Sequence, residues 1–166
     1  HRHYDLGLEF HHHPTRNHPL GRVRPLIRPA RLEADRCVEC GICVATCPAH
    51  MDVPDYIRSI RDGDYEKGLK LMYRTNPFPA TCGRICTRRC EEVCPVGILG
   101  EPVAIRWLKR FIVDQVPSGD YQRILDDQPG SSGRQVAIIG AGPGGMSAAY
   151  YLRRKGHAVT VFEAED

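Results

Sequence analysis

Eight cysteines in two sets of four, each set closed by Cys-Pro, constrain this chain more than any other feature. The first set reads Cys37-Val-Glu-Cys40-Gly-Ile-Cys43-Val-Ala-Thr-Cys47-Pro48, the second Cys82-Gly-Arg-Ile-Cys86-Thr-Arg-Arg-Cys90-Glu-Glu-Val-Cys94-Pro95. Two-residue gaps let a tight loop aim successive thiolates at one centre, and Gly41 lets the backbone come close to it. Cys47, one residue further along, is expected to start a helix and point elsewhere, with Pro48 preventing continuation past it. The uniform three-residue gaps of the second set place its thiols along one side of a helix, or in a helical turn broken at Gly83. Clustered cysteines of this kind in a reducing cytosol usually mean metal, whereas a disulfide framework belongs to small secreted scaffolds.

The spacing of the first set, C-x2-C-x2-C-x3-C-P, is the run by which bacterial ferredoxins hold iron–sulfur clusters, and in two-cluster forms its fourth cysteine serves the other cluster. Four and four thiolates complete two [4Fe–4S] cubanes. If Cys37, Cys40 and Cys43 each bind an iron, the fourth ligand of that cluster comes from the second set, and Cys47 joins three of the second set on the other. Two clusters interlocked in this way would supply stability that a small helical domain cannot draw from its core alone. Zinc, which also accepts four thiolates, is the alternative, although it usually takes paired C-x2-C knuckles.

Around the cysteines the chain reads as short helices. Asp52 caps a helix entered through Val53-Pro54, with Tyr56, Ile57 and Ile60 on its apolar face. Gly63 ends it and Asp64 caps the next, where Leu69, Met72 and Tyr73 recur at helical spacing. Asn76-Pro77-Phe78-Pro79 is a rigid break. Glu101-Pro102 opens a stronger amphipathic helix through about Gln115, in which Trp107 is a core or cluster-shielding residue. Residues 1–34 read as an irregular arm rich in His, Arg and Pro, with His11 to His13 a weak metal alternative. Residues 35–127 form the helical domain, 128–134 a linker, and 135–166 the start of a second fold. The fold class is therefore mainly α, a helical double-cluster domain followed by a first β-α-β unit.

That second fold opens on Val136-Ala-Ile-Ile139-Gly140-Ala-Gly142-Pro143-Gly144-Gly145, a glycine loop between an expected buried strand and an expected helix. Gly140 makes the turn, Gly142 admits a pyrophosphate and Gly145 lets the helix pack on the strand. Phosphates favour the free N–H groups of the helix N-terminus. Glu163, at the end of the second strand, is placed for ribose hydroxyls.

The net charge of +3 lies in residues 1–34, which carry six Arg against three acids, while the remainder balances. This argues against nucleic acid and anionic membranes. No apolar run approaches the ~20 residues of a membrane span. The start at His1-Arg2-His3-Tyr4 is no signal peptide and points to a segment of a longer chain; a cytoplasmic location is expected.

Asn76-Pro-Phe-Pro-Ala-Thr-Cys82-Gly-Arg-Ile-Cys86, Glu101-Pro-Val-Ala-Ile105, Gly140-Ala-Gly142-Pro143 and Val159-Thr-Val-Phe-Glu163, in that order, resemble the glutamate synthase small subunit family. That family includes the large subunit of NADH-dependent ferredoxin–NADP oxidoreductase and the N-terminal half of dihydropyrimidine dehydrogenase. The resemblance runs from about residue 35 to the end. It implies FAD at Gly140, Gly142, Pro143, Gly144, Gly145 and Glu163, with NAD(P)H bound by a later fold. Many relatives use a Gln or Glu after the second set as a cluster ligand. Here that stretch is Ile105-Arg-Trp-Leu-Lys109-Arg110, which offers no such ligand, so Cys82 is the candidate to replace it. The implied allocation is Cys37, Cys40, Cys43 and Cys94 for one cluster, and Cys47, Cys82, Cys86 and Cys90 for the other. Arg84, Arg88, Arg89 and Lys109 nearby would favour the electron-rich state, or are solvated helix faces. The function implied is electron relay between FAD and a partner redox subunit, such as a glutamate synthase large subunit, ferredoxin–NADP oxidoreductase, hydrogenase or formate dehydrogenase. A non-catalytic cluster-bearing docking subunit without its own flavin is the alternative.

Overall fold

The structure, a computed structural model, describes residues 24–125 and 129–164. It is mostly helical, with one small parallel sheet. Histidines 1 to 18, including the His11 to His13 run, lie outside the described residues.

The first helix corrects the sequence reading. Residues 24–35 are not an irregular arm but α1 (Arg24–Asp35), helical despite Pro29 inside it. Its Ala30 and Ala34 are buried at four-residue spacing against α3 (Val53–Asp62) and α7 (Ile105–Gln115). Two small residues among prolines and arginines make a weak apolar stripe, so the helix is held by tertiary packing more than by its own pattern. Glu33, also buried, accepts from the Ala104 amide at 2.8 Å and from Arg36 at 2.8 and 3.0 Å.

The Gly63 and Asp64 signals act as expected. Gly63 ends α3 in the left-handed region (φ 77°), and Asp64 caps α4 (Tyr65–Tyr73) by accepting from the Lys67 amide at 2.9 Å. Ile57 and Ile60 of α3, Leu69 and Met72 of α4 and Ile112 of α7 are fully buried and form the centre of the core. Helix α7 begins at Ile105, not Glu101: Val103 and Ala104 are buried in non-helical backbone, and the Ile105 amide turns back onto the Val103 carbonyl at 2.8 Å. Its N-cap, Ala104, has no capping side chain. Instead Glu33 takes the Ala104 amide and buried Glu91 takes the Arg106 amide at 2.8 Å, so remote carboxylates satisfy this helix N-terminus.

The second cysteine set does not lie along one helix. It runs through α5 (Pro79–Ile85) and α6 (Arg89–Glu92) to a 3₁₀ turn, Pro95–Leu99. Gly83 does not break it: an added Cβ there would lie 3.2 Å from the Arg110 Cα, so Gly83 is where α5 and α7 touch. The break comes at Cys86, whose backbone is extended (ψ 152°).

After a 3₁₀ turn at Ser118–Asp120 and α8 (Tyr121–Leu125), the chain forms β1 (Gln135–Ile139), α9 (Pro143–Arg154) and β2 (Ala158–Phe162). The strands pair in parallel with Gln135 opposite Ala158 and Ile139 opposite Phe162. Strand β1 is not buried as expected; residues alternate between exposed and half-buried, and Ile139 is 92% exposed. An apolar run suits a strand covered on both faces, and among the described residues only α9 covers this sheet. The preceding Gly130–Arg134 stretch is tied down: Ser132 donates to the Gly156 carbonyl, and Arg134 accepts from Ala158.

A tyrosine cluster joins the two parts. Tyr73 of α4 meets Tyr121 edge-on at 6.0 Å and Tyr150 of α9 at 5.7 Å, while the Tyr151 hydroxyl donates to the Tyr73 carbonyl. Burial, and after it the neighbouring Tyr73, pushes Tyr121 and Tyr150 from the ordinary 10 up to about 12. A raised folded-state value means this contribution to stability is complete below pH 10 and is lost as pH rises through about 12. Tyr73→Ala is expected to bring both phenols down towards 10, as read by tyrosinate absorbance, and to remove the alkaline part of the stability profile.

Candidate metal centre and nucleotide loop

Cys37 leaves α1 with its amide on the Ala34 carbonyl, and Glu39 and Gly41 then take left-handed backbone (φ 57° and 78°) to turn the loop. Gly41 starts α2 (Ile42–Thr46), which buries Cys43. Cys47 ends α2 rather than starting a helix. Pro48 excludes the α region for the residue before it, and Cys47 sits at φ −72°, ψ 122°. The non-glycine residues with positive φ among those described are Glu39, His50 and Arg88, and each flanks a cysteine set or sits inside one. Backbone of this kind persists where the surrounding structure fixes it, and functional sites concentrate it.

Cys37, Cys40, Cys43 and Cys94 line one small cavity that opens to solvent. Its walls are apolar: Val53, Pro54, Ile57, Val96, Val103 and Ile105. Cys94 reaches it from the second set because extended backbone before Pro95 (ψ 119°) turns it out of the helical run. Burial, then the negative charges of Cys37 and Cys40, push the Cys43 thiol up to about 11. Exposed Glu39 at the rim pairs with Arg58 and Arg61, which hold its carboxyl down at about 2.

Of the other four cysteines, Cys47 ends α2 and the remaining three belong to the second set. Cys82 lies in α5, Cys86 caps that helix, and Cys90 lies in α6. Cys82 is lowered to about 5, first by a hydrogen bond from the Cys86 thiol and then by Lys109, whose Nζ is 2.9 Å from its Sγ. Cys86, the donor, is pushed up correspondingly. Cys90 is pushed up to about 12 by burial, Glu91 and, more weakly, Cys47 and Cys43. Tyr56 is fully buried, and burial first, then the charges of Cys90, Cys43, Cys47 and Cys82, push its phenol well up. Sequence reasoning placed Tyr56 only on a helix face, and nothing local signals its position. Trp107 is not in the core; it is half-buried, with Arg106 and Arg110 at 5.3 and 5.4 Å over its ring.

A four-thiolate donor set around an apolar-lined cavity suits a cubane, which needs sulfur ligands spread over its irons. The second group suits one equally in donor chemistry.

In the nucleotide loop Gly140 is left-handed (φ 98°) and Gly142 caps α9, with Pro143 opening it. A Cβ on Gly145 would fall 1.9 Å from the Gly140 carbonyl oxygen, so only glycine lets helix and loop approach this closely. Gly144 faces open space. Glu163 folds back onto the loop: Oε2 accepts from the Ala141 amide and Oε1 from the Ala164 amide, both at 2.7 Å.

Residues 25–120 match the family described as dihydropyrimidine dehydrogenase domain II, 4Fe-4S cluster. The chain belongs to that family. Residues 138–166 match the NAD(P)-binding Rossmann-like domain, so a cluster-type domain of dihydropyrimidine dehydrogenase kind precedes the start of a nucleotide fold. The chain is 42% identical to the NADP(+)-dependent formate dehydrogenase subunit beta of Moorella thermoacetica, across 74% of this chain and 20% of that protein. It is 37% identical to the glutamate synthase [NADPH] small chain of Mycobacterium tuberculosis, across 82% of this chain and 28% of the relative. The NADPH-Fe(3+) oxidoreductase subunit beta of Geobacter sulfurreducens is 35% identical, across 74% and 18%. The chain thus spans between about a fifth and just over a quarter of the length of these relatives. Among the described residues no helix is long and apolar enough to cross a membrane.

Proposed function

We propose that this chain is the iron–sulfur electron-transfer segment of a flavin-dependent NAD(P)H oxidoreductase, relaying electrons between FAD and a partner redox subunit. Two [4Fe–4S] clusters would supply one-electron carriers, held by Cys37, Cys40, Cys43 and Cys94 and by Cys47, Cys82, Cys86 and Cys90. The observation that carries this reading is the cavity shared by Cys94 and the first three cysteines, since ligands 51 residues or more apart in sequence meet there. Apolar side chains, Ile57 and Val103 among them, line the inner wall of that site. The loop from Gly140 to Gly145 offers α9 amides to the FAD pyrophosphate, with Glu163 supporting the turn through Ala141. A reducing, cytoplasmic setting keeps the eight thiols available as ligands. By analogy with the matched relatives, the partner is a subunit of a larger complex of the formate dehydrogenase or glutamate synthase kind.

Zinc is the competing occupant. Zinc usually takes paired C-x2-C knuckles, and three ligands in C-x2-C-x2-C followed by C-P fit a cubane better. Anaerobic purification should yield about eight iron and eight acid-labile sulfide per chain. About two zinc and no sulfide would overturn the assignment.

A further inference from the structure

Lys109 lies in the middle of α7 and is only 5% exposed, yet it carries an ammonium group. Its Nζ donates to Cys82 Sγ at 2.9 Å, and its next partner is the Met51 thioether at 4.0 Å. Among the described residues no carboxylate lies within ion-pairing distance of it. Buried Glu91 turns Oε1 to the Arg106 amide, and no ion pair joins its other oxygen to Lys109, whose direct contact is with Cys82. A buried cation without a counter-ion is unfavourable, so the fold must offer it an anion, and the anion it faces is sulfur.

The two cysteine groups therefore differ in charge. The Cys37/Cys40/Cys43/Cys94 cavity has no Lys, Arg or His in its lining; its one charged member, Glu39, is acidic and already paired to Arg58 and Arg61. The Cys82 group has the buried Lys109 ammonium in direct contact with a cysteine sulfur, while buried Glu91, next to Cys90, is turned to the Arg106 amide. Adding an electron makes a cluster more negative, and a fixed positive charge in a low-dielectric surrounding favours that form.

We infer that Lys109 is a positioning and charge-setting residue that makes the cluster at Cys47, Cys82, Cys86 and Cys90 the higher-potential member of the pair, so that the first electron to enter rests there. The inference rests on the two-cluster reading above. No proton moves; one electron enters, and the ammonium stays where it is.

Redox titration of the reconstituted protein, followed by EPR, tests it, with iron and sulfide counted on each sample. Two waves are expected in the unaltered protein. Lys109→Met keeps the stem and removes the charge. It should lower the upper wave by at least about 59 mV, a tenfold fall in the reduced-to-oxidised ratio for one electron, and leave the lower wave in place. Lys109→Arg, which retains the charge, should keep the upper wave above that of the Met variant. A Cys94→Ala protein, retaining the second cluster alone, should show one wave matching the upper one. Full iron and sulfide with unchanged potentials in Lys109→Met would overturn the inference, as would a Cys94→Ala wave matching the lower one. Absence of clusters in the unaltered protein would instead sink the functional reading beneath it.

Discussion

Cys94→Ala halves the metal content: iron is expected to fall from about eight to about four per chain, with sulfide falling in step. Cys94 follows the helical part of the second set, but its thiol lines the cavity of the first. Alanine leaves Cys37, Cys40 and Cys43 with three ligands for a four-iron cluster. It also removes the tie between the loop after α1 and the turn before Pro95. Because metal binding free energy is folding free energy in small domains of this kind, the cooperative unfolding transition should move to lower denaturant as well. The pairing itself is read from double variants. Adding Cys37→Ala to Cys94→Ala should cost no further iron, whereas adding Cys47→Ala should remove the remainder. The opposite pattern would place Cys94 with Cys47.

Ile57→Ala is expected to cost about 2–5 kcal/mol. Ile57 is completely buried and packs at the centre of the core, and the same side chain forms a wall of the Cys37/Cys40/Cys43/Cys94 cavity. Truncation therefore leaves a hole between core and cavity that the helices cannot close. Against a typical domain stability of about 5–15 kcal/mol, such a loss consumes a large fraction of the total. Denaturant unfolding of the anaerobic holoprotein measures it, and cluster loss in air should accelerate in parallel. Ile98→Ala, at a site 83% exposed, is the control and should stay within about 0.5 kcal/mol of the parent. Equal stability of the Ile57 variant would show that the core does not depend on this contact.

What could be read from the sequence divides by range. Gly63, Asp64 and the glycine loop act through the backbone within a few residues of themselves, and their signals translated directly into a left-handed cap, an N-cap and a strand-to-helix turn. At Cys47 the steric effect of Pro48 on the residue before it ends the helix, which ligand spacing alone does not express. Equal spacing is also what two short helices with an extended joint produce, so the second set follows neither a single helix nor a turn broken at Gly83. Helix α1 was missed because its buried face is two alanines and a glutamate, and that glutamate serves an amide 71 residues away. Lys109 was visible as a cation beside the cysteines; its burial against Cys82 depends on how α5 and α7 pack at Gly83. Contacts of that range leave no local trace in a sequence.

The central claim is that each cluster draws on both cysteine sets. Diffraction from the anaerobically reconstituted protein, with anomalous data at the iron edge, tests it directly. The account predicts two iron peaks, one bonded to Sγ of Cys37, Cys40, Cys43 and Cys94 and the other to Sγ of Cys47, Cys82, Cys86 and Cys90. One peak held wholly by the first set and one wholly by the second would contradict it.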